Sequence, residues 1–231
     1  MTEIILALDV DSCDDALDLA RPLRRHLRWV KLGLQLFTRH GPGIIDTFAE
    51  QGFKVFLDLK LHDIPNTVVS AIKSLRGRPC TFLTLHTLGG PEMLRSAVTA
   101  AGEFLPDTTL LGVTVLTSMD TAQLTAIGVG ASPVEQVKLL AQMAAENGLR
   151  GFVCSPWELA ALRAVMPRDT LFVTPGIRSA DAPADDQRRT FSPAQAARLG
   201  ASYIVVGRPI LRAPDPVAAI RAMQQEIANA G

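Results

Sequence analysis

The sequence predicts a single-domain α/β protein, a (β/α)8 TIM barrel spanning residues 1–231. Three observations predict it. Short β-branched runs alternate with Ala/Leu-rich helical periods eight times along the chain. The strands are apolar almost throughout, as expected when both faces of a parallel sheet are covered. The 231 residues leave about 29 per unit, a compact spacing for repeated βα units. No linker-like stretch divides the chain. A doubly wound open sheet shares this periodicity. Against it, the first strand runs into Asp-Val-Asp-Ser instead of a glycine-rich phosphate loop.

The first strand is IILALDV (4–10), and Ser12 caps the helix after it, with Asp15 three residues on. WVKLGL (29–34) is the second strand. A Gly/Pro break at 41–43 precedes the helical stretch 44–51, and KVFLDLK (54–60) is the third strand. Pro65 suits the first turn of a helix running to about Arg76. TFLTLH (81–86) is the fourth strand, followed by a helix from Pro91 to about Gly102. TLLGVTVL (109–116) is the fifth, followed by a short helical piece near 121–127 and a long helix over 133–147. GFVCS (151–155), LFVTP (171–175) and YIVVG (203–207) complete the eight, and the last helix covers about 216–228. SPVE (132–135), SPWE (155–158) and SPAQ (192–195) share one helix-start pattern: Ser at the cap, Pro next, then Glu or Gln reaching back. Gly148 and Gly200 end helices by taking left-handed geometry cheaply.

An apolar fraction of 48% supports a sizeable core. Lys plus Arg and Asp plus Glu number 23 each, so the formal net charge is zero. No global basic field exists to hold a nucleic-acid backbone. The cysteines at 13, 80 and 154 form no CxxC pair and read as small hydrophobes in a reducing compartment. The N-terminal run lacks the basic stretch and the length of a signal peptide, and no apolar run is long enough to span a membrane. A soluble cytoplasmic protein is the expectation, without membrane or nucleic-acid partners.

Chemistry in a barrel sits where the strands end. The polar groups there are Asp9, Lys31, Asp58, Lys60, His86, Thr117, Ser118, Arg178 and Arg208. Residues 58 and 60 lie two apart on one strand and so share a face. Asp9 and Lys31 sit at comparable depth on the neighbouring strands. Four charges of alternating sign are thus expected to converge. A structural ion-pair cluster is the bland reading, because two Asp and two Lys neutralise one another. Function is favoured because so costly an arrangement lies at the reactive end of the fold.

The four histidines, at 26, 40, 62 and 86, show no ligand spacing, so zinc is not expected. Composition leaves open magnesium on Asp9, Asp58 and Asp63, although two lysines would compete for those carboxylates. TPGIR (174–178) and VVGRPI (205–210) place arginines beside glycines after strands seven and eight, a common phosphate site in barrels. The polar stretch 179–191 reads as a loop that could fold over a phosphate through Gln187. Trp29 and Trp157 read as packing residues.

With DLKLHDIPNTV (58–68) in view, the sequence resembles the orotidine 5′-phosphate decarboxylase family, which carries an Asp-x-Lys-x-x-Asp-Ile signature. ALDVD, VKLGLQLF, VTVLTS, TPGIR, DQRRTFSPAQA and VVGRPI extend the likeness along the chain. The short chain looks like the bacterial form. The resemblance implies decarboxylation of orotidine 5′-monophosphate to UMP, without metal or cofactor, late in pyrimidine synthesis. It implies that Lys60 donates a proton to C6 and that Asp58 lies against the substrate carboxylate. Lys31 and Asp9 would bind the ribose and base region. Asp63, Ile64 and Thr67 would reach the partner's site across a homodimer interface. Thr117, Ser118 and Pro175 would sit at the base, and Arg178, Gln187, Gly207 and Arg208 would hold the phosphate. Ser179 stands where many relatives have Pro. Sister families that decarboxylate or condense keto-sugar phosphates with magnesium typically carry Glu at the position of Lys31. A phosphosugar-binding barrel without turnover is the non-enzyme alternative.

Overall fold

Alternation along each strand sorts the core into two layers. On β1 (Glu3–Ala7), Ile4 and Leu6 face outward, while Ile5 and Ala7 face inward. The outward residues meet the helices and form one continuous core with them. The inward ones join Trp29, Phe56, Phe82, Leu111, Val173 and Val205 inside a closed sheet. The computed structural model describes residues 1–178 and 191–230.

The strands follow one another in order, all parallel: β1, β2 (Trp29–Gly33), β3 (Lys54–Leu61), β4 (Cys80–His86), β5 (Thr109–Val113), β6 (Gly151–Val153), β7 (Leu171–Thr174) and β8 (Tyr203–Val206). Pairing of β1 with β8, from Glu3↔Tyr203 to Leu6↔Val206, closes the barrel. An open sheet is thereby excluded, and the barrel expected from the sequence is the one observed. The helices around it are α1 (Cys13–Ala20), α2 (Leu34–His40), α3 (Gly43–Glu50), α4 (Pro65–Ser74), α5 (Gly90–Phe104), α6 (Thr121–Ala126), α7 (Pro133–Glu146), α8 (Leu159–Val165), α9 (Pro193–Arg198), α10 (Arg208–Leu211) and α11 (Pro216–Ala228). Among the described residues, no helix is long and apolar enough to cross a membrane.

Aromatic rings fill the lower barrel. Trp29 stacks on Phe82 at 4.5 Å, and Tyr203 meets both rings edge-on at 5.1 Å. The Trp29 indole N–H donates to Glu3 at 3.2 Å. This plug fills the lower interior, and the pocket lined by the charged residues opens at the upper end, where the strands finish.

Local signals place the helices. Ser12 Oγ accepts the Asp15 N–H at 3.0 Å. Ser132, Ser155 and Ser192 each form the reciprocal cap read from the sequence, with Glu135, Glu158 and Gln195. Gly148 and Gly200 take φ values of 98° and 90° beyond their helices. Several strands end earlier than expected: β1 at Ala7 instead of residue 10, β2 at Gly33, β5 at Val113 and β6 at Val153. The chain leaves β2 at Gly33 and turns at once into α2, which has no side-chain cap to announce it. Strand β5 stops at Val113 because its neighbour β6 is only three residues long and ends opposite it, at Val153.

Glu158 is 6% exposed, and its carboxylate accepts the Ser155 N–H at 2.8 Å. Burial pushes its pKa up to about 7, against the pull of that hydrogen bond. The folded state therefore keeps a proton that the unfolded chain has lost, between about pH 4.5 and 7, and stability falls as pH rises through that window. The chain builds two equivalent caps with glutamine, Gln123 and Gln195. Glu158→Gln should keep the cap and remove about 1–3 kcal/mol of pH-dependent stability between pH 5 and 8. Urea denaturation at the two pH values reads this out; an unchanged slope would contradict it.

Candidate active site

Register brings the charged residues together. Ala7 of β1 pairs with Lys31 of β2, Lys31 with Phe56 of β3, and Gly33 with Asp58. Lys31 thus points into the barrel level with Ala7 and Phe56, and Asp58 points in one layer above them. Lys31 Nζ lies 3.0 Å from Asp9 Oδ1 and 3.6 Å from Asp58 Oδ2. Lys60 Nζ lies 2.8 Å from Asp58 Oδ1. The four charges form a row of alternating sign: Asp9, Lys31, Asp58, Lys60. Side-chain exposure is 60% at Asp9, 12% at Lys31, 13% at Asp58 and 30% at Lys60, so the two middle charges of the row are the deepest.

Simple alternation does not place Lys60. Leu57 pairs with Leu83 and Leu61 with Leu85, so four steps of β3 run against two of β4. Within this bulge Lys60 takes φ = 52°, and it is the only non-glycine residue at positive φ among the described residues. Thr84, fully buried on β4, holds the bend. Its hydroxyl accepts the Lys60 N–H at 2.9 Å and donates to Asp58 Oδ1 at 3.0 Å. One hydroxyl thereby fixes both the backbone of the lysine and the carboxylate beside it.

These groups line a pocket of about 320 Å³, within the range of small-molecule sites. Thr117, Pro175, Arg178, Gly207 and Arg208 line it as well. One rim therefore carries the charge row, and the other carries two arginines. Val113, Val115 and Val153 form an apolar wall between them. Among the described residues, no group of three or more His, Cys, Asp or Glu side chains is placed to hold a metal ion.

Other expected residues lie elsewhere. Asp63, Ile64 and Thr67 are exposed and do not line this pocket; Asp63 accepts the Ile64 N–H at 2.7 Å. Ser118 is also exposed and off the pocket wall, because the chain has left the sheet and Leu116 and Thr117 take the wall instead. Gln187 falls outside the described residues. Trp29 packs as expected, but Trp157 is 57% exposed: it stands on a single helical turn, and among the described residues its ring has only Phe191 as an aromatic neighbour. His86 lies with its ring 5.4 Å from that of His62, and burial, then the charges of His62 and Lys60, lower its pKa.

Two contributors escaped sequence reasoning. Thr84 left one signal, a hydroxyl in the middle of an apolar strand, which must find a partner once buried. Gly33 left none: a Cβ there would come within 3.0 Å of Lys31 Nζ and 3.4 Å of Asp9 Oδ1. The absence of a side chain makes room for the Lys31–Asp9 pair.

The family model for orotidine 5′-phosphate decarboxylase / HUMPS matches residues 2–223. The chain belongs to this family. It is 51% identical to the orotidine 5′-phosphate decarboxylase of Opitutus terrae over 225 residues, covering 97% of this chain and 98% of that one. The protein of the same name from Chromohalobacter salexigens is 44% identical, covering 99% and 97%. Among solved structures, the family member from Lactobacillus acidophilus superposes with a TM-score of 0.84 at 39% identity, covering 98% of this chain and 99% of that one. The barrel, with its charge row and bulged third strand, is thus this family member's version of a fold shared along the whole chain.

Thr84→Val keeps the shape of the residue while removing the hydroxyl. It should leave the Lys60 N–H without its partner and cost about 1–3 kcal/mol in urea denaturation. Unchanged stability would show that the hydroxyl does not hold the bend.

Proposed function

We propose that the chain decarboxylates orotidine 5′-monophosphate to UMP and CO₂, a late step of pyrimidine synthesis. The observation that carries this reading is the placement of Lys60 Nζ, 2.8 Å from Asp58 in a pocket whose other rim bears Arg178 and Arg208. The match to the family along nearly the whole chain supports it.

Loss of CO₂ leaves an electron pair on C6 with no adjacent carbonyl to spread it. The site must stabilise a localised anion. An ammonium group fixed beside C6 does so electrostatically and then supplies the proton. Asp58 orients Lys60. Lys31 neutralises the second oxygen of Asp58 and ties the pair to Asp9, which suits the ribose side of the ligand. Arg178 and Arg208 hold the phosphate by charge-assisted hydrogen bonds, with Gly207 between the last strand and Arg208. Binding energy gathered at the phosphate, remote from C6, can lower the barrier at the reacting carbon. The carboxylate, ring and ribose then lie between the rims, against Thr117 and Pro175. Gln187 is assigned to the phosphate by family resemblance alone, and Ser118 to the base.

The active form is a homodimer in which Asp63, Ile64 and Thr67 complete the partner's site. Support comes from exposed apolar side chains just beyond three adjacent strands: Leu34 after β2, Ile64 after β3 and Leu88 after β4. Ile64 is 67% exposed, a large apolar area to leave in water beside two polar groups with no role in the chain's own pocket. A cytosolic location fits a nucleotide substrate and three free cysteines.

One assay tests both claims. Wild-type protein with orotidine 5′-monophosphate should lose ultraviolet absorbance at a rate unaffected by EDTA, and Lys60→Ala should reduce that rate by many orders of magnitude while still binding UMP. Asp63→Ala should also be nearly inactive. Mixing the two variants should restore about a quarter of wild-type activity, because one site in each mixed dimer is intact. Wild-type protein without turnover would overturn the reaction, and a mixture no faster than its components would overturn the shared site.

A further inference from the structure

Trp157 is the one aromatic side chain that stands mostly in solvent among the described residues, 57% exposed. It does not line the pocket. Its backbone is nonetheless tightly placed, on the single turn Pro156–Glu158 that follows β6. Ser155 Oγ accepts the Trp157 N–H at 3.4 Å, and the buried Glu158 closes the same turn through the Ser155 N–H. A fixed backbone carrying an exposed indole makes a stationary post.

The post meets one ring. Phe191 lies edge-on to Trp157, with centroids 4.8 Å apart and planes at 90°. The backbone of Phe191 is paired with the residues that follow β7, Ile177 and Arg178. Its carbonyl accepts the Arg178 N–H at 3.0 Å, and Ile177 and Phe191 form an isolated parallel bridge. On the other side of Phe191, Ser192 starts α9 with a reciprocal cap to Gln195. A continuous set of contacts therefore runs from Trp157 through Phe191 to the backbone of Arg178, and Arg178 lines the pocket.

We propose that Trp157 is a positioning residue for the phosphate rim: it fixes Phe191 and, through the Phe191 carbonyl, the backbone from which Arg178 reaches the ligand. The proposal rests on the decarboxylase reading, which puts the substrate phosphate at Arg178. The edge-to-face geometry gives an exposed aromatic ring at this position a partner. A smaller side chain would leave the Phe191 ring without its partner and let the Arg178 backbone drift. Such drift affects a phosphorylated ligand and spares one that lacks the phosphate.

Trp157→Ala, Trp157→Phe and wild type are compared on orotidine 5′-monophosphate and on orotidine. Trp157→Ala should raise KM for the phosphorylated substrate roughly three- to tenfold, the weight of one aromatic pair. Its kcat/KM on orotidine should match wild type, and Trp157→Phe should restore most of the lost affinity. An unmoved KM for the phosphorylated substrate would overturn the proposal. An equal loss on both substrates would also overturn it, because that marks a general structural defect. Wild-type turnover measured in parallel separates the two readings. Its absence overturns both, while its presence with an unmoved KM overturns only the role of Trp157.

Discussion

The bend at Lys60 is the constraint on which the site depends. A strand continuing in regular geometry would carry residue 60 one layer above residue 58, toward the mouth. The left-handed conformation at Lys60 instead turns the chain back, so that the ammonium and the Asp58 carboxylate meet within the pocket. A non-glycine residue in this region costs on the order of 1–3 kcal/mol and persists only where its surroundings over-determine it. Here the surroundings are Thr84, which takes the Lys60 N–H, and Asp58, which takes the ammonium. Strain and its compensation occupy the same few atoms. The lysine head is therefore held in place before any substrate arrives.

Placement of charge follows from the barrel beneath. The aromatic plug around Trp29 and Phe82 fills the lower interior, and Phe56 and Ala7, level with Lys31 in the register, line the pocket beneath Asp58. Each of these charges would be expensive alone at such depth. In alternation they neutralise one another, and Gly33 leaves space for the pairing. The opposite rim carries Arg178 and Arg208. Under the proposed reaction the two rims divide the work: the arginine rim takes the anionic handle, and the charge row faces the bond that breaks.

Much of this was legible in the sequence. The eight strands and the serine caps follow from periodicity and from residues whose local chemistry is unambiguous, such as Ser132 and Ser192, whereas closure into a barrel is decided by the pairing of β1 with β8. The charge row was legible because charged residues at the ends of apolar strands are rare and costly. What alternation alone did not reveal was the bulge. Residues 58 and 60 were expected to converge as ordinary neighbours on one face, and they converge instead by a backbone excursion that depends on Thr84 in another strand. Gly33 acts by lacking a side chain, and α2 begins without a cap, so neither leaves a local mark. Trp157 looked like core because tryptophan usually is. Its exposure comes from the single turn that carries it, which no residue in SPWE announces.

Under the proposed reaction Asp58 and Lys60 act as one unit, the carboxylate working through the ammonium it holds. A double-mutant cycle measures this directly, with kcat/KM determined for wild type, Asp58→Asn, Lys60→Ala and the double variant. If the pair is a unit, the double variant should be within about tenfold of the slower single variant. Losses that multiply, with the double variant slower by the full product of the two, would show that the residues act independently and would contradict the account.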